Sequence, residues 1–100
     1  MSSISDKLIF DMRQILRING THFDVEISDL VSAARADLVL GGILPAKAEN
    51  ESDALIKRAI TCYVKAEFGH NNPDAEKLRA SYQSIRQHLM LSSEYISAEA

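Results

Sequence analysis

The sequence predicts an all-α fold, a compact bundle of four main helices followed by a short C-terminal tail. Three observations carry that expectation. Apolar residues recur at helical spacing in four separate stretches. Proline and glycine number only two and four in 100 residues, too few for the turns of a β fold. Between the stretches stand glycines, and once a Gly-His-Asn-Asn-Pro run, where helices stop and restart.

The first segment runs from about Ser5 to Ile18, with Leu8, Ile9, Met12, Ile15 and Leu16 on one stripe. Ser5 is its expected N-cap and Asn19-Gly20 its left-handed stop. The second covers about Phe23 to Leu40 behind a Thr21 cap. Asp24, Glu26 and Asp29 load its first turns with charge that suits the helix dipole. Phe23, Ile27, Leu30, Val31, Ala34 and Leu38 share its buried face, and Gly41-Gly42 ends it. Residues 41–51 have no period and contain Pro45, so they read as a slightly long, mobile connector, with a binding loop as the lesser alternative.

The third segment, Ser52 to Phe68 with Ser52 as cap, turns Leu55, Ile56, Ala59, Ile60, Tyr63 and Ala66 to one side. Val64 and Phe68 fall outside that face, as on a central helix or one that also meets a partner. In the joint that follows, Gly69 closes a helix, Asn72 caps the next and Pro73 takes its first position. So short a connection forces an antiparallel hairpin. Ala75, Leu78, Tyr82, Ile85 and Leu89 then mark the fourth segment. The helical domain is 1–91. Residues 92–100 form the tail, with only Tyr95 and Ile96 to bury, frayed unless a partner orders them.

Chemistry is hard to find in this chain. The net charge is −3, from 11 basic and 14 acidic residues, and the basic ones are scattered. A DNA binder neutralising roughly 6–10 phosphates needs a basic face, so sequence-specific nucleic acid is not an expected partner. A single cysteine, Cys62, excludes an internal disulfide and fits a reducing compartment. Lying in a helix between Ile60 and Val64, it reads as a packing residue. His22, His70 and His88 lack the spacing of metal ligands, so no metal is expected. Gly41-Gly42 lacks the lysine and third glycine of a phosphate loop, and no cofactor is expected. No nucleophile–base pair stands out, so no enzyme is expected. There is no signal pattern and no run near roughly 18 apolar residues, so neither is a membrane. The expectation is a soluble, cytosolic chain.

What the sequence does offer is surplus apolar surface. Val39, Leu40, Ile43 and Leu44 lie outside the main stripes, as do Val64, Phe68, Met90, Leu91 and Ile96. Burying one such side chain contributes roughly 1.5–3 kcal/mol, so self-association is expected. Val64, Phe68, Met90, Leu91, Tyr95 and Ile96 are the candidate partner-binding residues.

Two stretches carry a resemblance. Leu16-Arg17-Ile18-Asn19 leads through Phe23-Asp24 and Glu26-Ile27 to Leu30-Val31-Ser32-Ala33-Ala34. Further on, the run from Ile56 to Gly69 precedes Asn72-Pro73-Asp74-Ala75-Glu76-Lys77 and then Tyr82. Both are similar to the head–tail connector (adaptor, or head-completion) family of long-tailed bacteriophages. Asn19 stands where that family usually has Asp. The resemblance implies a structural virion-assembly subunit, present in the host cytoplasm during assembly and then at the head–tail interface. Its implied partners are itself, as a ring of about a dozen copies, the portal protein, and the next head-completion or tail protein. Such a ring extends the DNA channel. The alternative is a small helix-turn-helix DNA-binding regulator built on the joint around Asn71. Asp74 and Glu76, at the DNA-facing end of the would-be recognition helix, weigh against it.

Overall fold

The computed structural model describes residues 4–96, and among them the chain is helical and has no strand. Six helices follow in order: α1 (Asp6–Leu16), α2 (Asp24–Leu40), α3 (Pro45–Ala48), α4 (Ala54–Glu67), α5 (Ala75–Met90) and α6 (Ser93–Ile96). The four long ones are the four expected segments. The two short ones lie in the connector and the tail.

Each helix end has a specific cause. Ser5 caps α1 as expected, its hydroxyl oxygen accepting from Leu8 N at 3.0 Å. The stop, however, is Arg17 rather than Asn19-Gly20. Arg17 adopts φ 60°, its N–H bonds Gln14 O at 3.1 Å, and Ile18 N–H bonds Arg13 O at 2.9 Å. This double closure turns Ile18 onto the core, and that burial ends the helix ahead of the glycine. The same closure recurs after α2, where Gly42 is the left-handed residue at φ 118°. Ile43 N–H bonds Leu38 O at 3.0 Å, and both side chains are buried. Thr21 does not cap α2 with its hydroxyl; its carbonyl oxygen accepts from Asp24 N at 3.2 Å instead.

Residues 41–51 are a built connection rather than a loose one. Pro45 opens α3, Ile43 and Ala48 are buried, and Glu51 is held from two sides. The cap of α4 is Asp53, one residue past the expected Ser52. Asp53 Oδ1 accepts from Leu55 N at 2.9 Å and Ile56 N at 3.1 Å, while Ser52 N–H turns to Asn50. A carboxylate suits this place better than a hydroxyl, because its second oxygen also accepts from Tyr95 OH at 2.8 Å.

That bond settles the fate of the described part of the tail. Residues 93–96 form a helical turn laid back on the domain, with Tyr95 only 7% exposed. Leu44 N–H donates to Tyr95 O at 2.8 Å, so the connector and the tail hold each other. Residues 97–100 of the expected tail, and 1–3 of the expected domain, lie outside the described residues.

The long helices alternate in direction. Glu67 pairs with Arg79 at 2.7 Å and Tyr63 meets Tyr82 edge-on at 5.3 Å, so α4 and α5 run antiparallel. Asn72 pins their joint, accepting from Asp74 N and donating to Lys65 O. Pro73 lies in that turn, ahead of α5 rather than in its first position. Phe23 meets Phe68 while Arg35 meets Glu51, so α2 is antiparallel to α4 as well. Helix α4 is central and packs on α1, α2 and α5. Around it Leu8, Met12, Ile27, Val31, Leu38 and Ile60 close the core.

One charge is taken inside. Arg35 is buried, with its Nη2 3.1 Å from Glu51 Oε2. Glu51 also accepts from Ser5 N and from the Ser5 hydroxyl. Burial pushes the Glu51 carboxyl up, but the bonds from Ser5 and Arg35 outweigh it and hold the group below its usual range. Hydrogen bonds from Lys57, then Lys7, depress Asp11 likewise.

Three outcomes follow from these contacts and from the left-handed stop at Arg17. Carboxyls depressed in the folded state bind fewer protons there than when unfolded, so their stabilisation is complete above the unfolded value and disappears as pH falls through the folded one. Urea denaturation should therefore show stability dropping below about pH 4.3, and Glu51→Gln should cost about 2–3 kcal/mol at neutral pH while flattening that drop. Arg17→Gly should instead stabilise by about 0.5–1 kcal/mol, because relief of the left-handed strain exceeds the added freedom of the unfolded chain.

Candidate functional site

A helical plate with a complete core has only its outer surface to act with. The fold sorts that surface into two ends and two flanks. At one end α2 and α5 finish and α4 begins. Leu40, Leu55, Leu91 and Ile96 are exposed there, Leu40 and Leu91 at 85% and 84%. Met90, half-buried, lies beneath them. At the other end Phe23 meets the half-buried Phe68, ring centroids 5.4 Å apart and 82° between planes. The 17 residues of α2 separate the two ends by about 25 Å.

The six candidate partner-binding residues divide along these lines. Leu91 and Ile96 are exposed together at the α5–α6 end, with Met90 beside them. Phe68 belongs to the opposite end. Val64 is 0% exposed and Tyr95 is buried, so in the folded chain neither lies on the surface. Val64 lies outside the simple stripe because α4 is covered on several sides at once. Tyr95 lies inward because its hydroxyl finds Asp53. Sequence reasoning passed over Phe10 and Val25, which are exposed, and the buried Arg35, and it placed Phe23 and Leu55 on the apolar faces of their helices, where the structure leaves both exposed at the helix starts. For Phe10 and Val25 a signal existed: both lie off their own helix's buried stripe. For Arg35 there was none, since its partner Glu51 is 16 residues away in an aperiodic segment.

Beside the α5–α6 end, α2 and α5 are joined by a polar cluster. Tyr82 OH donates to Asp37 Oδ2 at 2.6 Å. Arg86 Nε lies 3.4 Å from the same oxygen, close enough for an ion pair but not aligned for a hydrogen bond. The Arg86 guanidinium lies flat against Gly41, where a side-chain carbon would stand 2.4 Å from its Nη2. Burial, then the bond to Asp37, pushes the Tyr82 phenol well above its ordinary range. Tyr95 is pushed up to about 12 by burial and by its bond to Asp53. Phenols held protonated in this way are struts, fixing α5 and α6 against α2 and α4.

Among the described residues no three His, Cys, Asp or Glu side chains are grouped to hold a metal, and Cys62 is buried. No helix there is long and apolar enough to cross a membrane. The joint around Asn71 forms a side-by-side hairpin, not the roughly 90–120° crossing of a helix-turn-helix.

The family model described as phage connector protein matches residues 8–96, from the buried face of α1 to the last turn of α6. The chain belongs to the phage connector protein family. No curated protein and no solved structure matches it. Membership makes this connector a structural component of the phage virion, where the family associates with portal and tail proteins, and the family is not an enzymatic one.

The division between core and surface is measurable. Val64→Ala should cost this connector about 2–3 kcal/mol in urea denaturation, whereas Leu91→Ser should change stability by no more than about 0.5 kcal/mol.

Proposed function

We propose that this connector is a ring subunit, about a dozen copies closing beneath the portal and extending the DNA channel toward the tail. The resemblance of the Leu16–Ala34 and Ile56–Tyr82 stretches to head–tail connectors supports the reading, as does the two-ended surface. The observation that carries it is the separation of exposed apolar residues to opposite ends of α2, with Leu40, Leu91 and Ile96 at one and Phe23 with Phe68 at the other. A subunit seated between two different neighbours needs a docking face at each end. In a ring, each copy turns one end to the portal and the other to the tail side. Partner binding is then assigned to Leu91, Ile96 and Met90 at one end and Phe68 at the other. Subunits accumulate in the host cytoplasm and close on a filled head.

The overall negative charge suits a channel subunit that must let DNA slide, since bound phosphates would otherwise be held by cations. The test is light scattering of the full chain mixed with the portal protein of the same phage. The expected outcome is a portal complex carrying many copies, lost in one of the two variants Leu91→Asp and Phe23→Asp and kept in the other, while both stay folded. Absence of any portal binding at micromolar concentration would overturn the reading.

A further inference from the structure

The two flanks of the plate carry grooves of opposite net charge. Helix α1 packs on α2 and α4, α5 packs on α4 and α6, and so α1 and α5 lie on different flanks of the α2–α4 pair. On the α1 side, α1 and α2 form a groove lined by Ile4, Ile9 and Val25 with Asp6, Asp24 and Asp29. Arg13 neutralises Asp24 at 2.9 Å, while Asp6 and Asp29 are exposed and, among the described residues, form no ion pair. On the α5 side, the groove between α4 and α5 is lined by Lys65, Lys77, Leu78 and Ser81, with Asp74 and Asn72 at one end. Arg58 stands seven residues before Lys65, two turns away on the same face of α4. Arg58, Lys65 and Lys77 are exposed and likewise form no ion pair there, whereas Arg79 on the other side of α5 is taken up by Glu67.

Each groove thus combines apolar side chains with an excess of one charge, three carboxylates against Arg13 in the first and two lysines against Asp74 in the second, and the two excesses are opposite. A surface of this kind fits a second copy of the same chain, shifted sideways. We infer that the acidic α1–α2 groove of one connector seats on the basic α4–α5 groove of the next. Val25 then meets the Leu78 floor, and Asp6 and Asp29 meet cations from Lys65 and Lys77. The contact is heterologous, two different patches on each copy, so it propagates around a ring and leaves both ends of α2 free. Charges placed this way fix register and speed encounter as well as adding affinity. The inference rests on the ring reading and supplies its lateral interface.

The test uses the full chain in sedimentation velocity at low and high salt, with two double variants, Asp6→Lys with Asp29→Lys and Lys65→Glu with Lys77→Glu. All four positions are exposed, and thermal melts confirm the fold of each variant. Wild type should associate at about 50 mM salt and fall apart at about 500 mM, where exposed charges are screened. Each variant alone, carrying like charge on both flanks, should associate at least about tenfold more weakly. Their equimolar mixture should recover the wild-type level, because every contact then again joins acid to base. Association of the variants equal to wild type, a mixture no better than its components, or no association of wild type at low salt would each overturn this interface. Portal binding measured in the same samples reads the ring reading separately: wild type that still loads many copies onto the portal keeps that reading while the flank assignment falls.

Discussion

A guanidinium carried into the interior sets the terms for much of this fold. Arg35 on α2 is almost wholly buried, and an unpaired charge there would be expensive. Glu51 meets it from the connector, and Ser5 at the start of α1 meets Glu51 in turn. Three segments distant in sequence are therefore tied at one carboxylate: the cap of α1, the middle of α2 and the residues leading into α4. Buried ion pairs are weak contributors to net stability against apolar replacements, but they penalise misregistered packing severely. Here the penalty falls on any arrangement that lets the connector drift, which explains why an aperiodic stretch with two glycines and a proline adopts one path. With Glu51 fixed, Asp53 is placed to cap α4 and to receive the Tyr95 hydroxyl, and the last turn of the chain closes over the connector.

The helices themselves were legible because each carries a signal within its own few turns. The stripe of Leu8, Met12 and Ile15, the acidic start of α2 and the Gly-His-Asn-Asn-Pro joint all act locally, and the structure follows them. What sequence reading missed was set by contacts between distant residues. Arg17 ends α1 in a conformation a glycine would adopt more readily, because Ile18 must reach the core. Asp53 displaces Ser52 as a cap because Tyr95, 42 residues later, needs its second oxygen. Val64 lies off the main stripe of α4 and is still fully buried, since a helix packed against three neighbours buries more of its circumference than a single stripe marks. The surface divided similarly: Leu91 and Ile96 were readable as surplus apolar residues, whereas the opposition of charge between the α1 and α5 flanks becomes visible only once four helices are placed around α4.

Family membership and geometry bear on different questions. Membership establishes a structural role in the phage particle. It does not say how one hundred residues serve several neighbours at once. The plate answers that in physical terms. Its principal extents are 42 × 28 × 19 Å, most of its exposed large apolar side chains stand at the two ends of the longest helix, and the grooves on its flanks carry opposite net charge. Apolar patches suit contacts made once and kept, and charged grooves suit contacts that must find their register among identical copies. Rigid struts serve both, since a docking face that moves with the loop beneath it would spend binding energy on ordering. Tyr82 and Tyr95, held protonated in bonds to Asp37 and Asp53, brace the end at which Leu91 and Ile96 stand.

The central claim is that the long axis of α2 runs from portal to tail, with the two apolar ends facing different partners. Cryo-electron microscopy of the head–tail joint of the assembled virion measures this directly. The account predicts α2 of every copy aligned along the channel, with Leu91 buried against one neighbouring protein and Phe23 against another. Copies lying with α2 around the circumference, their Leu91 and Phe23 ends touching each other rather than portal and tail proteins, would contradict it.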